Sequence, residues 1–402
     1  MTSIPTVDRL ELLGSRVFYR VDYNVPLDGR RITDATRIEA TIPTLLLMRE
    51  RGAGIVIASH LGRPKGKPSE KDSLLPVKGR LESLTGLKVR FAPDCIGDEA
   101  KRLSSELKPG EILLLENLRF HPGEEKNDEE FARSMRELAD FYVNDAFGAC
   151  HRAHASIDAL PRMFPKEKIA GGLLLVRELE FLEKITTASE RPFVALLGGA
   201  KIAGKIEPLE ALAKMADTVL IGGGMANTFL VSQGREMGGS LVDRDSMSVA
   251  ATILGAEGGA EIELPNDLVV TDSIDAPTKV RTVAVEDGLE PGEMAVDIGP
   301  RTIQRYASVI AGAKTVFWNG PMGVFEKEEF SEGTRAMAAA IAESDSVSVV
   351  GGGESVEAVK SSSFGDRISH ISTGGGASLE FISGAKLPGI AVLEEGLDGS
   401  GD

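Results

Sequence analysis

Short apolar segments alternate along the chain with amphipathic segments, a pattern that predicts a parallel α/β protein. Residues 54–59 (GIVIAS) are continuously apolar, as expected for a strand covered on both faces of a sheet. Helices are predicted between the strands, among them residues 32–49, with Asp34 as N-cap, and residues 128–138. The predicted strands are residues 16–21, 54–59, 111–115 and 141–143 in the first half, and 193–197, 217–221, 315–318, 346–350 and 369–372 in the second.

Residues 173–185 (LLLVRELEFLEKI) form an amphipathic segment without glycine or proline, which predicts a helix linking two halves. A chain of 402 residues also favours two domains over one. We therefore predict an α/β protein of two Rossmann-like, doubly wound parallel-sheet lobes joined by a hinge helix. The predicted divisions are an N-terminal domain, 1–172, the hinge helix, 173–187, a C-terminal domain, 188–385, and a tail, 386–402. The end of the tail is expected to be loose, and packing of the tail against the N-terminal domain is one alternative.

Charge and composition limit the classes of function. The net charge of −16, from 45 basic and 61 acidic residues, argues against non-specific nucleic-acid binding. We find no apolar run of the roughly 20 residues that a membrane span needs, and no secretory signal. The two cysteines, Cys95 and Cys150, are predicted to be reduced structural thiols, which favours a cytoplasmic location. A monomer is favoured over a homodimer.

Anion-binding side chains follow four of the predicted strands in the first half, where the carboxyl ends of parallel strands should meet at one edge. Guanidinium groups match carboxylate and phosphate oxygens two at a time, so a small substrate carrying both groups is the expected ligand. For any single arginine, a surface salt bridge is the alternative. The side chains concerned are Asp22 and Asn24, His60 and Arg63, Arg119, and Arg152, with Arg37 in the first turn of the predicted helix.

Four histidines, His60, His121, His151 and His154, are interpreted as substrate contacts or packed rings. Zinc is not expected, because cysteines and carboxylates are absent at metal-ligand spacing around them.

Glycine triplets follow the strands of the second half, at residues 222–224, 351–353 and 374–376. Any one of them could be a tight turn, but three together favour nucleotide phosphates held at helix N-termini. Neither Gly222 nor Gly351 begins a complete dinucleotide fingerprint, so hydride transfer is the weaker of the two nucleotide hypotheses.

Residues 199–205 (GAKIAGK) match the first seven positions of a Walker A loop, but Ile206 stands where a hydroxyl would bind Mg²⁺. Lys201 and Lys205 are four residues apart, and we expect them to share one face of the following helix.

At these motifs the chain resembles the phosphoglycerate kinase family, over nearly its whole length and in order. The segments that carry the resemblance are RVDYNVP at 20–26, SHLGRP at 59–64, LENLRFH at 115–121, VNDAFG at 143–148 with HRAH at 151–154, LGGAK at 197–201, WNGP at 318–321 and STGGGAS at 372–378.

The resemblance implies reversible transfer of the acyl phosphate of 1,3-bisphosphoglycerate to Mg-ADP, giving ATP and 3-phosphoglycerate, in glycolysis and gluconeogenesis. It implies substrate-binding roles for Asp22, Asn24, Arg37, His60, Leu61, Gly62, Arg63, Arg119 and Arg152. It implies nucleotide-binding roles for Lys201, Lys205, Asn319, Glu326, Gly351, Gly352, Gly353, Glu354 and Ser355. Arg37, Lys201, Lys205 and Gly374 are implied to act in catalysis.

Glu354 marks a departure from the family pattern, because many members have aspartate there as the expected Mg²⁺ contact. The longer side chain is predicted to bind the metal directly or through water. We also expect hinge closure to expel water and to bring the donor and acceptor oxygens into line. The alternatives are a nicotinamide-dependent oxidoreductase and a non-catalytic anion-binding protein with two lobes.

Overall fold

The computed structural model describes residues 4–187, 190–362 and 364–395. The described residues divide into two compact units, one formed from those of Met1–Glu180 and Lys386–Asp402 and the other from those of Phe181–Ala385. None of the helices in these ranges combines the length and the apolar character needed to cross a membrane.

The first unit is built on a six-stranded parallel sheet and a separate two-stranded antiparallel hairpin. The strands are β1 (Arg16–Val21), β2 (Leu27–Asp28), β3 (Arg31–Ile32), β4 (Gly54–Ala58), β5 (Val89–Phe91), β6 (Ile112–Leu114), β7 (Phe141–Asp145) and β8 (Ile169–Gly171). The sheet has the order β5-β6-β4-β1-β7-β8, and β2 pairs with β3 in the hairpin. Every residue of β4 is buried, so both faces of the sheet are covered at its centre.

The helices of this unit are α1 (Thr36–Glu39), α2 (Ile42–Glu50), α3 (Leu75–Thr85), α4 (Gly97–Ser105), α5 (Pro122–Glu125) and α6 (Glu129–Arg136). The prediction of one helix over residues 32–49 is wrong. Ile32 belongs to the β2–β3 hairpin, and the helical part is divided between α1 and α2. Pro43, at the start of α2, has no N–H to continue the first helix, and Thr41 lies at the break with its hydroxyl donated to the Ile38 carbonyl (2.8 Å).

A helix, α7 (Leu173–Thr187), occupies the segment predicted to link the two halves, and the boundary between the two compact units falls within it, after Glu180. Side chains of the first unit satisfy N–H groups at its start, which otherwise have no partner within the helix. The Leu173 N–H donates to Thr44 Oγ1 (3.0 Å) and the Leu175 N–H donates to Asp145 Oδ1 (2.9 Å). Burial raises the pKa of Asp145 to about 6, although hydrogen bonds from the Thr44 and Tyr19 hydroxyls and the Leu175 N–H oppose the shift.

The second unit has a six-stranded parallel sheet and a three-stranded antiparallel sheet. The strands are β9 (Phe193–Leu197), β10 (Thr218–Ile221), β11 (Glu261–Glu263), β12 (Asp267–Thr271), β13 (Val280–Ala284), β14 (Met294–Ile298), β15 (Thr315–Asn319), β16 (Val347–Gly351) and β17 (His370–Ile371). The parallel sheet has the order β11-β10-β9-β15-β16-β17, which is the strand order of a Rossmann fold. The antiparallel sheet, β13-β12-β14, was not predicted. The helices are α8 (Ile206–Met215), α9 (Gly223–Ser232), α10 (Met247–Leu254), α11 (Pro300–Ala311), α12 (Glu332–Glu343), α13 (Gly353–Ser361) and α14 (Gly375–Ile382).

The end of the chain belongs to the first unit, where α15 (Pro388–Glu394) contacts β8. The Gly389 N–H donates to the Cys150 carbonyl (3.0 Å), and a Cβ at this glycine would come within 3.0 Å of the Cys150 Cα. Most of the predicted loose end, residues 396–402, lies outside the described residues. The predicted fold class, α/β with two parallel-sheet lobes, is confirmed.

Candidate active site

The predicted anion-binding residues of the first unit lie in the segments that follow β1, β4, β6 and β7. Asp22 and Asn24 come directly after β1, and His60 comes two residues after the end of β4. Arg119 lies in a short 3₁₀ turn, Leu118–Phe120, beyond β6. Because these strands are parallel neighbours, their carboxyl ends bring the residues to one edge of the sheet.

Asp22 is a buried carboxylate held by cationic and backbone donors. Arg37 Nη1 donates to Asp22 Oδ2 (2.8 Å), the Asn24 N–H donates to Oδ1 (3.1 Å), and His60 Nε2 lies 3.9 Å from Oδ1. Burial alone would raise the pKa of Asp22, but the Arg37 and Arg20 guanidinium groups and the Asn24 N–H outweigh it and the pKa is lowered. Asp22 therefore stays ionised and fixes the position of the Arg37 guanidinium.

The segment containing Leu61 and Gly62 is tied down by its backbone. The Gly62 N–H donates to Asn24 Oδ1 (2.9 Å), and Arg119 Nη1 donates to the Gly62 carbonyl (2.9 Å). The Leu61 carbonyl accepts from Asn117 Nδ2 (2.7 Å), while its side chain is buried in the core. Leu61 and Gly62 can therefore contact a substrate only through backbone groups or through the small surface of the glycine.

Three arginines have guanidinium capacity that the protein does not use. Arg63 is exposed and makes no hydrogen bond or ion pair within the described ranges. Arg152 is also exposed, and its Nε donates to His151 Nε2 (3.0 Å). Arg119 is buried, and in the described part of the chain its Nε has no hydrogen-bond partner, with Glu125 Oε1 3.6 Å away. Unused donors of this kind are suited to the oxygens of an anionic ligand.

His121 lies in an environment of its own, beside Asp94 and Cys95. His121 Nε2 is 2.6 Å from Asp94 Oδ1, and its ring stacks on Phe131. Asp94, Cys95 and His121 form the group of possible metal ligands found in the described residues. Burial raises the pKa of the Cys95 thiol well above its usual value, which disfavours the thiolate that a metal requires. Both cysteines are free and buried, as predicted.

In the second unit, a cavity of about 500 Å³ lies beside the glycine segments that follow β9 and β10. Its walls include Gly199, Gly223, Leu241, Met294, Val324, Asp297 and the exposed carboxylates Glu326 and Glu354. The backbone is closely packed here, since a Cβ at Gly198 would lie 2.0 Å from the Pro321 carbonyl oxygen. Largely apolar walls with a few polar groups are typical of small-molecule sites.

Two helix N-termini meet beside the cavity. Gly352, with φ of +89°, precedes α13, and Gly374 precedes α14. A Cβ at Gly375 would come within 2.4 Å of the Gly352 nitrogen, so glycine alone permits this approach. Ser355 is buried and its hydroxyl accepts the Gly320 N–H (2.6 Å), so the contact it makes here supports the backbone after β15.

Asn319, the last residue of β15, lies next to this glycine pair. Its Nδ2 is buried and has no hydrogen-bond partner among the residues that the structure describes, and a Cβ at Gly352 would lie 3.2 Å from that atom. Lys205 Nζ donates to Asn319 Oδ1 (3.3 Å) and to the Gly198 carbonyl (3.1 Å). Burial lowers the pKa of Lys205, although the Glu354 carboxylate opposes this. The amide, the lysine and the helix ends bring hydrogen-bond donors and positive charge to one place, an arrangement suited to an anion.

The prediction that Lys201 and Lys205 share a helix face is wrong. Helix α8 begins at Ile206, so Lys205 is the residue before it and Lys201 lies in the preceding loop. Gly199 and Gly204, with φ of +104° and +80°, keep this loop out of helical geometry. Lys201 is exposed, whereas Lys205 is turned back toward the end of β9.

Sequence reasoning missed two groups of residues. Arg20, beside His60, and Glu124, beside Arg20, are fully buried, but strand alternation gives no sign that an arginine of β1 faces inward. Most of the cavity walls were also missed, because apolar and glycine residues carry no chemical signature. The sign that was available for them was their position after parallel strands.

Comparisons with known proteins agree over almost the whole chain. The family model described as phosphoglycerate kinase matches residues 7–385. The phosphoglycerate kinase of Moorella thermoacetica is 52% identical, covering 97% of this chain and 99% of the relative. That of Thermomicrobium roseum is 50% identical with the same coverage.

Solved structures give the same result. Phosphoglycerate kinase from Coxiella burnetii matches with a TM-score of 0.86 at 37% identity, covering 98% of this chain and 99% of that one. Phosphoglycerate kinase from Pyrococcus horikoshii matches with a TM-score of 0.88 at 31% identity, covering 98% and 100%. The chain therefore belongs to the phosphoglycerate kinase family.

Proposed function

We propose that this protein transfers the acyl phosphate of 1,3-bisphosphoglycerate reversibly to Mg-ADP, forming ATP and 3-phosphoglycerate. The observation that carries the proposal is the unpaired Asn319 Nδ2, buried beside two helix N-termini and a cavity of about 500 Å³. This arrangement fits a nucleotide whose phosphates lie at the glycine pair. The arginine cluster of the first unit fits the other substrate.

In the first unit, Arg63, Arg119 and Arg152 bind the phosphate and carboxylate oxygens of 3-phosphoglycerate. These roles are supported by the guanidinium donors that remain free on the exposed Arg63 and Arg152, and by the Arg119 Nε, which has no hydrogen-bond partner in the described residues. Asp22 and Asn24 bind the hydroxyl group, with His60 next to them. Arg37 is positioned by Asp22 to reach the group that is transferred.

In the second unit, the apolar walls hold the purine and Glu326 binds the sugar. Gly351, Gly352 and Gly353 hold phosphate through their backbone at the start of α13, and Lys205 and Asn319 bind alongside. Ser355 contributes by supporting the Gly320 backbone.

Glu354 is the residue suited to Mg²⁺. It is an exposed carboxylate in the first turn of α13, on the cavity wall, and its charge reaches Lys205. Mg²⁺ is usually held by one or two carboxylates together with phosphate oxygens, so a single carboxylate at this place fits the metal. When bound, the metal would neutralise charge on the nucleotide phosphates.

Phosphoryl transfer needs positioning and charge stabilisation more than a protein nucleophile. Arg37, Lys201 and the N-terminus of α14 at Gly374 supply the positive charge for the transferring group. Since the acid-binding and nucleotide-binding residues belong to different compact units, we expect closure when both substrates are bound. Small-angle scattering should show a smaller radius of gyration with both substrates than without them, and an unchanged radius would reject closure.

We place the reaction in the cytoplasm, supported by two free, buried cysteines. We propose a monomer, which light scattering of the purified protein can test.

A coupled assay tests the function. With ATP, 3-phosphoglycerate and Mg²⁺, the protein should form an acyl phosphate whose consumption is recorded, and GTP in place of ATP measures purine preference. A flat trace with folded protein and added Mg²⁺ would reject the kinase and favour the non-catalytic anion-binding alternative.

A further inference from the structure

Arg20 and Glu124 form a fully buried charge pair in the first unit, and Arg20 contacts His60. Arg20 and Glu124 are both 0% exposed, and Arg20 Nη2 lies 3.8 Å from Glu124 Oε1. Removing two charges from water costs several kcal/mol per ion unless their geometry and hydrogen bonds compensate.

Ser156 connects the two charges. Arg20 Nε donates to Ser156 Oγ (2.8 Å), and Ser156 Oγ donates to Glu124 Oε1 (2.6 Å). The Ser156 N–H donates to the second carboxylate oxygen, Oε2 (3.0 Å). These bonds fix the plane of the Arg20 guanidinium.

The fixed guanidinium faces His60. Arg20 Nη2 lies 3.3 Å from His60 Nδ1. Arginine has donors and no acceptor, so Nδ1 must be the unprotonated nitrogen of the ring. The ring proton is then on Nε2. In the described parts of the chain this Nε2 makes no hydrogen bond, and the nearest carboxylate oxygen, Asp22 Oδ1, is 3.9 Å away.

We propose that Arg20, held by Glu124 and Ser156, is a positioning residue that locks His60 in the neutral Nε2–H tautomer and so presents a hydrogen-bond donor to the acid substrate. The inference rests on the proposed function, because it takes His60 to be a contact of 3-phosphoglycerate. Burial lowers the pKa of His60 well below its usual value, the Asp22 carboxylate opposes this, and the neighbouring arginines reinforce it, in agreement with a neutral ring.

Lysine could not replace Arg20 in this role. One guanidinium reaches Ser156 through Nε and His60 through Nη2 at the same time, whereas an ammonium group is a single point of contact. Arg20→Lys should keep the charge beside Glu124 and lose the control of the tautomer.

Nitrogen NMR of ¹⁵N-histidine-labelled protein reads the tautomer directly. The His60 signals, identified by their absence in His60→Gln, should report Nε2–H and unprotonated Nδ1 from pH 6 to pH 8. An Nδ1–H tautomer or a charged ring in the unmodified protein would overturn the proposal without any variant of Arg20.

Arg20→Lys and the double variant Arg20→Met/Glu124→Gln extend the test, the second because it leaves no unpaired buried charge. Each should show a mixture of tautomers and a KM for 3-phosphoglycerate raised about tenfold or more, with the KM for ATP unchanged. Unchanged tautomer and KM in a folded variant would contradict the proposal.

Arg16→Met is the matched control. Arg16 lies on the same strand and pairs with Asp140 (3.0 Å), so its loss should lower stability without altering His60. If the coupled assay is flat while His60 shows Nε2–H, the kinase proposal fails and the positioning of the ring by Arg20 survives. If the protein is an active kinase but His60 shows another tautomer, the kinase proposal survives and the positioning of the ring by Arg20 is rejected.

Discussion

Arg37 Nη1 donates to Asp22 Oδ2 across 2.8 Å, and the guanidinium remains about one-third exposed. The buried carboxylate therefore holds the cation in place while leaving donors free. Arg37→Ala should lower kcat by about 10³-fold or more, the range seen when an arginine that stabilises phosphoryl transfer is lost. Steady-state kinetics with both substrates measure it.

Arg30→Ala is the control for this change. Arg30 is exposed and paired with Glu70 (3.3 Å), so its loss should leave turnover unchanged. Near-normal turnover of folded Arg37→Ala would remove Arg37 from the mechanism.

Lys201 is exposed and makes no hydrogen bond or ion pair in the described ranges, so replacing it should lower the reaction rate without lowering stability. Lys201→Ala is expected to reduce kcat by about 10³-fold with an unchanged melting temperature. Lys214→Ala removes another exposed lysine, at the end of α8, and should affect neither quantity. A large loss of stability in Lys201→Ala would show that the side chain has a structural role.

Glu354 should control the requirement for Mg²⁺. Glu354→Gln keeps the length of the side chain and removes its charge, and we expect half-saturation to need roughly 10-fold more free Mg²⁺, or more. Titrations of activity and of nucleotide binding against Mg²⁺ measure this. Glu357→Gln, one turn along on α13 and exposed, provides the comparison, and equal Mg²⁺ curves for the two variants would exclude Glu354 as the metal contact.

Asp297 predicts a pH dependence of stability. Burial chiefly raises its pKa from 3.8 to about 7, although the N–H groups of Gly333 and Ile298 oppose the shift. The folded state binds this proton more tightly than the unfolded state, so the stabilisation is complete below pH 4 and is lost as pH rises toward 7. The unfolding free energy of Asp297→Asn should therefore depend less on pH over this window than that of the unmodified protein.

Denaturant titrations at a series of pH values test this, with Asp245→Asn as an exposed control. Parallel curves for Asp297→Asn and the unmodified protein would mean that Asp297 does not titrate in the window.

The fold was predictable where the pattern and the local chemistry agreed. Residues 16–21 and 193–197 match β1 and β9 to the residue because each is a short strand followed by a break. The prediction of one helix over residues 32–49 was wrong because it followed the apolar spacing and ignored Pro43, whose missing N–H interrupts the helix.

Sequence analysis could predict the charged residues of the site, because charged side chains that follow parallel strands can be identified in the sequence. It could not predict their local geometry. The backbone of Gly199 and Gly204 decides where Lys201 lies, and helical spacing cannot show it. Arg20 faces inward because Glu124 and Ser156, more than 100 residues away along the chain, are there to receive it. Contacts of that range are set by tertiary packing.

The central claim is that the carboxylate of 3-phosphoglycerate receives the γ-phosphoryl group of ATP. Incubation with ATP, 3-phosphoglycerate, Mg²⁺ and hydroxylamine converts an acyl phosphate to a hydroxamate, which can be counted against the ADP formed. We predict one hydroxamate for each ADP, and none when 3-phosphoglycerate is omitted. Formation of ADP without hydroxamate, or no formation of either by the folded protein, would contradict the account.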